Sequence, residues 1–233
     1  MTSRTGEYKE KGDYHTHLDK NWKYYPIYIE KMKHIHKILD SIGKRKAIVD
    51  LGCGEGLLVQ EYRARGYNII GLDYNYGSKH VTKGNILAMP FADRSFDVVL
   101  LLDVLEHFEF SEQYDALREI HRILKKGGIV VLSLPNLAHL ASRLSFLVLG
   151  KPIRTAIDET RHKGDRAIAE YVRMLRKQGF SVEKKKGIFP TYPLISAFTM
   201  MSPSKSLPLH RAYNRLVAVP DWSFLVIVQA RKK

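Results

Sequence analysis

The chain contains one cysteine, Cys53, among its 233 residues. No disulfide can form within it, and a lone thiol fits a reducing compartment. No cysteine–histidine spacing of the structural zinc type occurs. No run reaches the roughly 18 uninterrupted apolar residues that mark a membrane span. The start, Met1-Thr2-Ser3-Arg4-Thr5-Gly6-Glu7, lacks the apolar core of a signal peptide, so the cytoplasm is the expected location. No internal repeat is present. Acidic residues are scarce: 24 Asp and Glu stand against 38 Lys and Arg, a formal net charge of +14. That imbalance speaks to association and not to fold. A plain basic surface fits it. So does an anionic partner: nucleic acid, a phospholipid surface or an acidic substrate.

What is present is organised around one stretch. Ala47 to Leu51 is a short apolar run and reads as a buried strand. Gly52-Cys53-Gly54-Glu55-Gly56 follows, with glycine at alternate positions. Leu57-Leu58-Val59-Gln60-Glu61-Tyr62 then opens a helix. Strand, glycine turn and helix form the first half of a nucleotide-binding α/β unit. The turn must let a ligand lie against backbone, and helix N-terminal N–H groups face it. The next strand, Tyr67 to Asp73, ends in an acid about 20 residues beyond the first glycine, as a ribose diol requires. The spacing is G-x-G-x-G behind Asp50, not G-x-G-x-x-G. An acid at that point repels a pyrophosphate and attracts an ammonium. Cys53, inside the loop, reads more simply as a small residue beneath a ligand than as a nucleophile.

Val49-Asp50-Leu51-Gly52-Cys53-Gly54-Glu55-Gly56 resembles motif I of class I S-adenosylmethionine (SAM)-dependent methyltransferases. Gly71-Leu72-Asp73 resembles their second motif. Asn85-Ile86 with Met89-Pro90-Phe91, and Phe96-Asp97-Val98-Val99, resemble the third and fourth. Val104-Leu105-Glu106-His107 and Leu124-Lys125-Lys126-Gly127-Gly128 complete a pattern similar to the type 11 and type 23 branches, which include ubiquinone-pathway O-methyltransferases. The resemblance runs from about Ala47 to Asn136. It implies a Rossmann-like α/β fold: a seven-stranded, mostly parallel sheet with an antiparallel last strand and helices on both faces. It implies SAM along the carboxyl ends of the first four strands, with S-adenosylhomocysteine as product. It assigns Asp50, Gly52, Cys53, Gly54, Gly56, Asp73, Tyr74, Asn85, Ile86 and Leu102 to the cofactor. Asn85 stands where the family often has an aspartate, and its amide oxygen can still accept from an adenine amino group.

Asp103, Glu106 and His107 follow the apolar run Val98 to Leu102, at the carboxyl end of a central strand. Three readings compete. Glu106 and His107 orient the loop; or His107 is a general base beside the transferred methyl; or Asp103-x-x-Glu106-His107 holds a divalent metal, as the ubiquinone-type E-x-x-E-H does. His107 is carried forward as the catalytic candidate, and no metal is expected.

The remaining segments surround this domain. Residues 1–43 form an N-terminal segment and covering helix, in which Tyr28, Met32, Ile35, Leu39 and Ile42 share an apolar face and Lys31, Lys33, His34 and Lys37 lie elsewhere, on a solvated basic side. Asp13 to His17 and Trp22 are candidates to cover the site. Residues 44–233 form the methyltransferase domain. Ser111 is the expected N-cap of one of its helices. Two apolar cap inserts, 137–155 and 188–220, are expected to lie side by side over the acceptor, with Lys151, Arg154, Lys205 and Arg211 flanking them. Leu137, Leu140, Ala141, Leu144 and Val148 fall on one helical face. That helix packs on the domain as a cover, or rests on an anionic membrane surface as a peripheral contact. The expected activity is methyl transfer from SAM to an O, N or C nucleophile of a small-molecule, lipophilic acceptor. An RNA methyltransferase and a non-catalytic SAM-binding regulator are the alternatives, although no N/D-P-P-Y motif follows the fourth strand.

Overall fold

The computed structural model describes residues 19–153 and 162–233, apart from the side chain of Met200. The candidate cover Asp13 to His17, and Arg154, lie outside the described residues. A seven-stranded sheet has the order β3-β2-β1-β4-β5-β7-β6. Its strands are β1 Ile48–Leu51, β2 Ile69–Asp73, β3 Val81–Lys83, β4 Phe96–Leu102, β5 Leu124–Pro135, β6 Phe180–Pro190 and β7 Ser223–Lys232. The pairs from β3 to β5 are parallel, and β7 runs antiparallel to both neighbours. The antiparallel last strand therefore lies between the fifth and sixth, as the resemblance implies.

The apolar patterning of the sequence dictates the layers. Along β1, Ile48 packs into one core cluster while Val49 and Leu51 pack into the other, the period of two that sends successive side chains to opposite faces. On one face lie α1 (Tyr25–Asp40) and α2 (Leu57–Ala64), contributing Ile35, Leu39, Val59 and Tyr62. On the other lie α3 (Glu112–Ile123) and α5 (Ile168–Lys177), contributing Leu117, Ile120, Tyr171 and Leu175. Between them the chain forms α4 (Leu140–Leu149), and after β6 it forms α6 (Pro193–Met201) and α7 (Pro203–Leu216). The strand order reverses between β1 and β4. In open α/β sheets the crevice beyond the carboxyl ends of such strands is the ligand site.

Several expectations change in detail. The fifth strand begins at Leu124 and runs through Gly127-Gly128. Ser111 takes the N-cap position of α3 but makes no side-chain cap bond. Instead the Glu112 carboxylate accepts the Glu109 N–H at 2.9 Å. Asn136, at the end of β5, is fully buried. Its side chain donates to the carbonyls of Asp221 and Ser223 and accepts from Ala138 and Ile168 N–H. It therefore joins three segments. The apolar face of α4 is not packed: Ser142 is the one buried residue of that helix.

Candidate cofactor and acceptor site

The glycine turn joins the carboxyl end of β1 to the N-terminus of α2. Gly52 and Gly56 have φ of 71° and 79°, in the left-handed region where a Cβ is strained. A Cβ on Gly52 would also stand 2.5 Å from the Val104 side chain, and one on Gly56 would collide with Val81. The turn is thus confined from below by neighbouring side chains, and its backbone forms the floor of the site.

Asp73, at the end of β2, is 8% exposed. Its Oδ2 accepts the Gly54 N–H at 2.8 Å, and its Oδ1 accepts Asn75 N–H at 2.8 Å and Tyr76 N–H at 3.2 Å. Three backbone donors hold the carboxylate in place beside the glycine turn. Asp50 is buried in β1, and its carboxyl is pushed up to about 7. Burial is the main cause; the Lys31 ammonium opposes it and the Asp73 carboxylate adds to it. Burial pushes the Cys53 thiol far up, so the thiolate a nucleophile needs does not form. Tyr74 is 70% exposed at the rim. Asn85 is exposed too, and its Oδ1 accepts the Leu87 N–H at 2.9 Å. The amide oxygen expected to meet an adenine is thus shared with a local turn. Ile86 is buried in the core, and Leu102 is half-buried at the end of β4.

A residue of α1 enters this site from above. Lys31 is 8% exposed, and its Nζ lies 2.5 Å from Asp103 Oδ2. Its sequence reading, on a solvated basic face, is corrected here. Ile27, Lys31, Ile35 and Leu39 recur every four residues and share the stripe that faces the sheet, with the ammonium reaching a carboxylate beyond it. That spacing was the available signal. Asp103 itself has φ of 55°, unusual for a residue with a side chain, and its Oδ1 accepts from the Ser133 hydroxyl. It is held from two strands and a helix.

The neighbouring cluster differs from the one the spacing suggests. Asp103 is engaged by Lys31 and Ser133. Glu106 and His107 are joined instead by His162, and one ligand atom from each lies within 4.8 Å of the others. Glu106 is 2% exposed with Oε2 unpartnered, and burial, with Asp103 nearby, holds its carboxyl well above the usual range. His162 Nδ1 lies 2.9 Å from Asp165 Oδ1, and the His107 and His162 rings meet edge to face at 5.0 Å. Sequence reasoning missed His162 and Asp165. They are remote in the chain, and no local pattern marks them.

Asp50, Asp73 and Asp103 with Lys31 form a donor and acceptor set that fits SAM. A ribose diol needs a fixed acceptor, an amino-acid tail needs an anion for its ammonium and a cation for its carboxylate, and the glycine floor admits both. Residues 49–132 match the family model described as a methyltransferase domain. A probable SAM-dependent methyltransferase of Mycolicibacterium smegmatis is 30% identical over 152 residues, 61% of this chain and 54% of that protein. A ubiquinone biosynthesis O-methyltransferase of Rickettsia bellii is 27% identical over 69% of this chain and 70% of its own. The chain spans about half the length of the Mycolicibacterium protein, 54%, and of a putative methyltransferase of Encephalitozoon cuniculi, 49%. Among solved structures, a Pyrococcus horikoshii protein superposes over 99% of this chain and 100% of its own, with TM-score 0.61 at 17% identity. A SAM-dependent methyltransferase of Archaeoglobus fulgidus covers 90% and 100%, with TM-score 0.59 at 20% identity, and both show a shared fold. The ordered motifs, the strand order and these matches together give the chain the fold of the class I SAM-dependent methyltransferases, and residues 49–132 resemble their methyltransferase domain.

Proposed function

We propose that the protein transfers the methyl group of SAM to an O, N or C nucleophile of a small, lipophilic acceptor. The observation that carries this reading is the charge set at the carboxyl ends of β1, β2 and β4: buried Asp50, Asp73 and Lys31 with part-exposed Asp103, around a glycine floor. SAM, when bound, supplies an activated methyl on a sulfonium. The chain's own groups do the rest. Asp73, pre-set by three N–H donors, offers its remaining acceptor capacity to the ribose. Asp50 and Asp103 favour the cationic tail, and Lys31 offers its ammonium to a carboxylate. Burial strengthens each of these contacts relative to water. In-line positioning of this kind is worth about 7–11 kcal/mol in favourable systems. His107 takes the proton of an acceptor that arrives protonated, and Asp165 fixes His162 beside it.

The lipophilic acceptor is supported by the elements at the same edge of the sheet. α4 and α6 both start there and are largely apolar. The similar proteins include a ubiquinone biosynthesis O-methyltransferase and a demethylmenaquinone methyltransferase of Renibacterium salmoninarum. Hydroxylated quinone precursors are therefore the first acceptors to assay. The RNA alternative draws on net charge alone. The test is calorimetry with SAM, S-adenosylhomocysteine and NAD, followed by mass-spectrometric detection of S-adenosylhomocysteine formed with the acceptor. SAM binding at micromolar strength, about −8 kcal/mol, is expected. Tight NAD binding without a response to either SAM form would refute it.

A further inference from the structure

We infer that the outer faces of α4 and α6 are a docking surface for an anionic lipid membrane. The inference rests on the reading of an apolar acceptor, but not on which atom is methylated.

The two helices leave one edge of the sheet. β5 ends at Pro135 opposite Leu225, and β6 ends at Pro190 opposite Ser223, two residues away on the same strand. Their starts are tied together. The Thr191 hydroxyl lies 2.9 Å from His139 Nδ1 and accepts the Ala141 N–H at 2.8 Å, while His139 Nδ1 also accepts the Ser142 N–H. Burial holds the His139 imidazole down to about 4, so it stays neutral and keeps this junction at ordinary pH.

Beyond the junction, both helices turn apolar side chains outward. In α6, Leu194, Ala197, Phe198 and Met201 recur at helical spacing and are all exposed, Leu194 by 87% and Met201 by 82%. The inner side of α6 is anchored by Thr199, whose hydroxyl meets His210 of α7 at 2.5 Å. In α4, Leu144, Leu147 and Val148 make the same pattern, and Phe146 and Leu149 extend it around the tip; Leu147 is 82% exposed. Soluble proteins expose single apolar residues freely, but exposed apolar stripes on two helices that rise from one junction mark an interaction surface.

The charges around the stripes select the partner. Residues 137–155 and 188–220 contain no aspartate or glutamate. Arg143, Lys151, Lys205 and Arg215 in these segments are exposed. An apolar helix face in a segment that carries cations and no acid has the composition that lies in the headgroup boundary of an anionic bilayer. No helix among the described residues is long and apolar enough to cross the membrane. The contact is therefore peripheral, with the helix tips inserted and the carboxyl edge of the sheet turned toward the lipid.

Flotation tests this with the full chain. Vesicles of phosphatidylcholine alone are compared with vesicles containing phosphatidylglycerol, across a salt series. Binding to the anionic vesicles that weakens with salt is expected. Leu147→Asp and Leu194→Asp should each weaken it about tenfold or more. Lys151→Glu should weaken it only at low salt. SAM affinity, measured on the same variants, should match the parent and report folding. No flotation at low salt overturns the inference, as does equal flotation by the parent and both aspartate variants. Concentration-dependent self-association that the aspartate variants abolish, without vesicle binding, assigns the face to a second copy and overturns it too. Salt-sensitive RNA retention in place of vesicle binding does the same. A protein that floats but binds no SAM refutes the methyltransferase reading and leaves this one standing.

Discussion

Replacing Lys31 by methionine removes the one buried ammonium of the site among the described residues and keeps the volume and helix propensity of the side chain. Two effects separate. The first is on stability. The ion pair with Asp103 spans 2.5 Å, with Lys31 9% and Asp103 37% exposed at the side chain. Breaking a fully buried pair costs about 3–5 kcal/mol because the partner charge is stranded. Here Asp103 reaches water and keeps the Ser133 hydroxyl, so about 1–2 kcal/mol is expected. The second effect is on SAM. A charge-assisted contact to the tail carboxylate contributes about 1.5–3 kcal/mol, roughly 10- to 150-fold in affinity. Urea denaturation gives the first quantity and calorimetry the second. S-adenosylhomocysteine, which has the same carboxylate, should lose affinity by the same factor. Sinefungin-like cationic analogues would serve as a third probe. A Lys31→Met protein that is destabilised but binds SAM like the parent would refute the assignment of Lys31 to the cofactor and leave a purely structural pair. Unchanged stability and unchanged affinity together would refute the buried pair itself.

Three further outcomes are expected. Asp50 has its folded pKa raised to about 7, so its ionised form destabilises the fold, and stability falls as pH climbs from its unfolded value toward 7. SAM affinity should move the other way, rising from about pH 6 to about pH 8 as the carboxylate ionises and meets the ammonium, and Asp50→Asn should flatten the calorimetric profile. Asp73→Ala should weaken SAM by about 2–3 kcal/mol while the sheet persists by circular dichroism, because a charged acceptor and the anchor of the Gly54 N–H are lost together. His107→Ala should lower turnover more than SAM affinity, and a chelator should leave the rate unaltered; a rate that falls with chelation and returns with metal would place an ion among Glu106, His107 and His162.

How much of this was legible in the chain depends on whether the cause was local. The strand–glycine–helix unit was readable because its demands are local: a buried strand, positive φ at Gly52 and Gly56, and an acid at the end of the next strand. The order of the sheet followed from the resemblance, since pairing between β5, β7 and β6 joins segments that no spacing connects. Lys31 was misread because a lysine on a helix is normally solvated, although it stands on the same four-residue stripe as Ile27 and Ile35. His162 and Asp165 were not legible, since their approach to His107 depends on how the chain returns after α4. The sequence left open whether α4 packs on the domain or rests on a surface, for a related reason. An apolar helical face in sequence says that something must cover it, and does not say that the rest of the chain does.

The distribution of charge brings the two ends of the argument together. A protein of formal charge +14 places three aspartates with one lysine at the carboxyl edge of its sheet, the proposed seat of a cationic cofactor. The two cap segments that rise from the same edge, 137–155 and 188–220, carry no acid at all. Within about 10 Å, the screening length at ordinary salt, each field acts on its own neighbourhood. The acids favour the sulfonium and ammonium without needing a neutral protein. The basic, apolar rim can meet an anionic surface without repelling the cofactor below, because Asp50 and Asp73 are buried and their fields act at close range. An acidic residue placed on the outer face of α4 or α6 should therefore change membrane contact and leave cofactor affinity intact, while a neutral residue at Asp50 or Asp73 should do the reverse. If either substitution moved both properties together, the two fields would be coupled, and the division of this edge into a cofactor floor and a lipid-facing rim would fail.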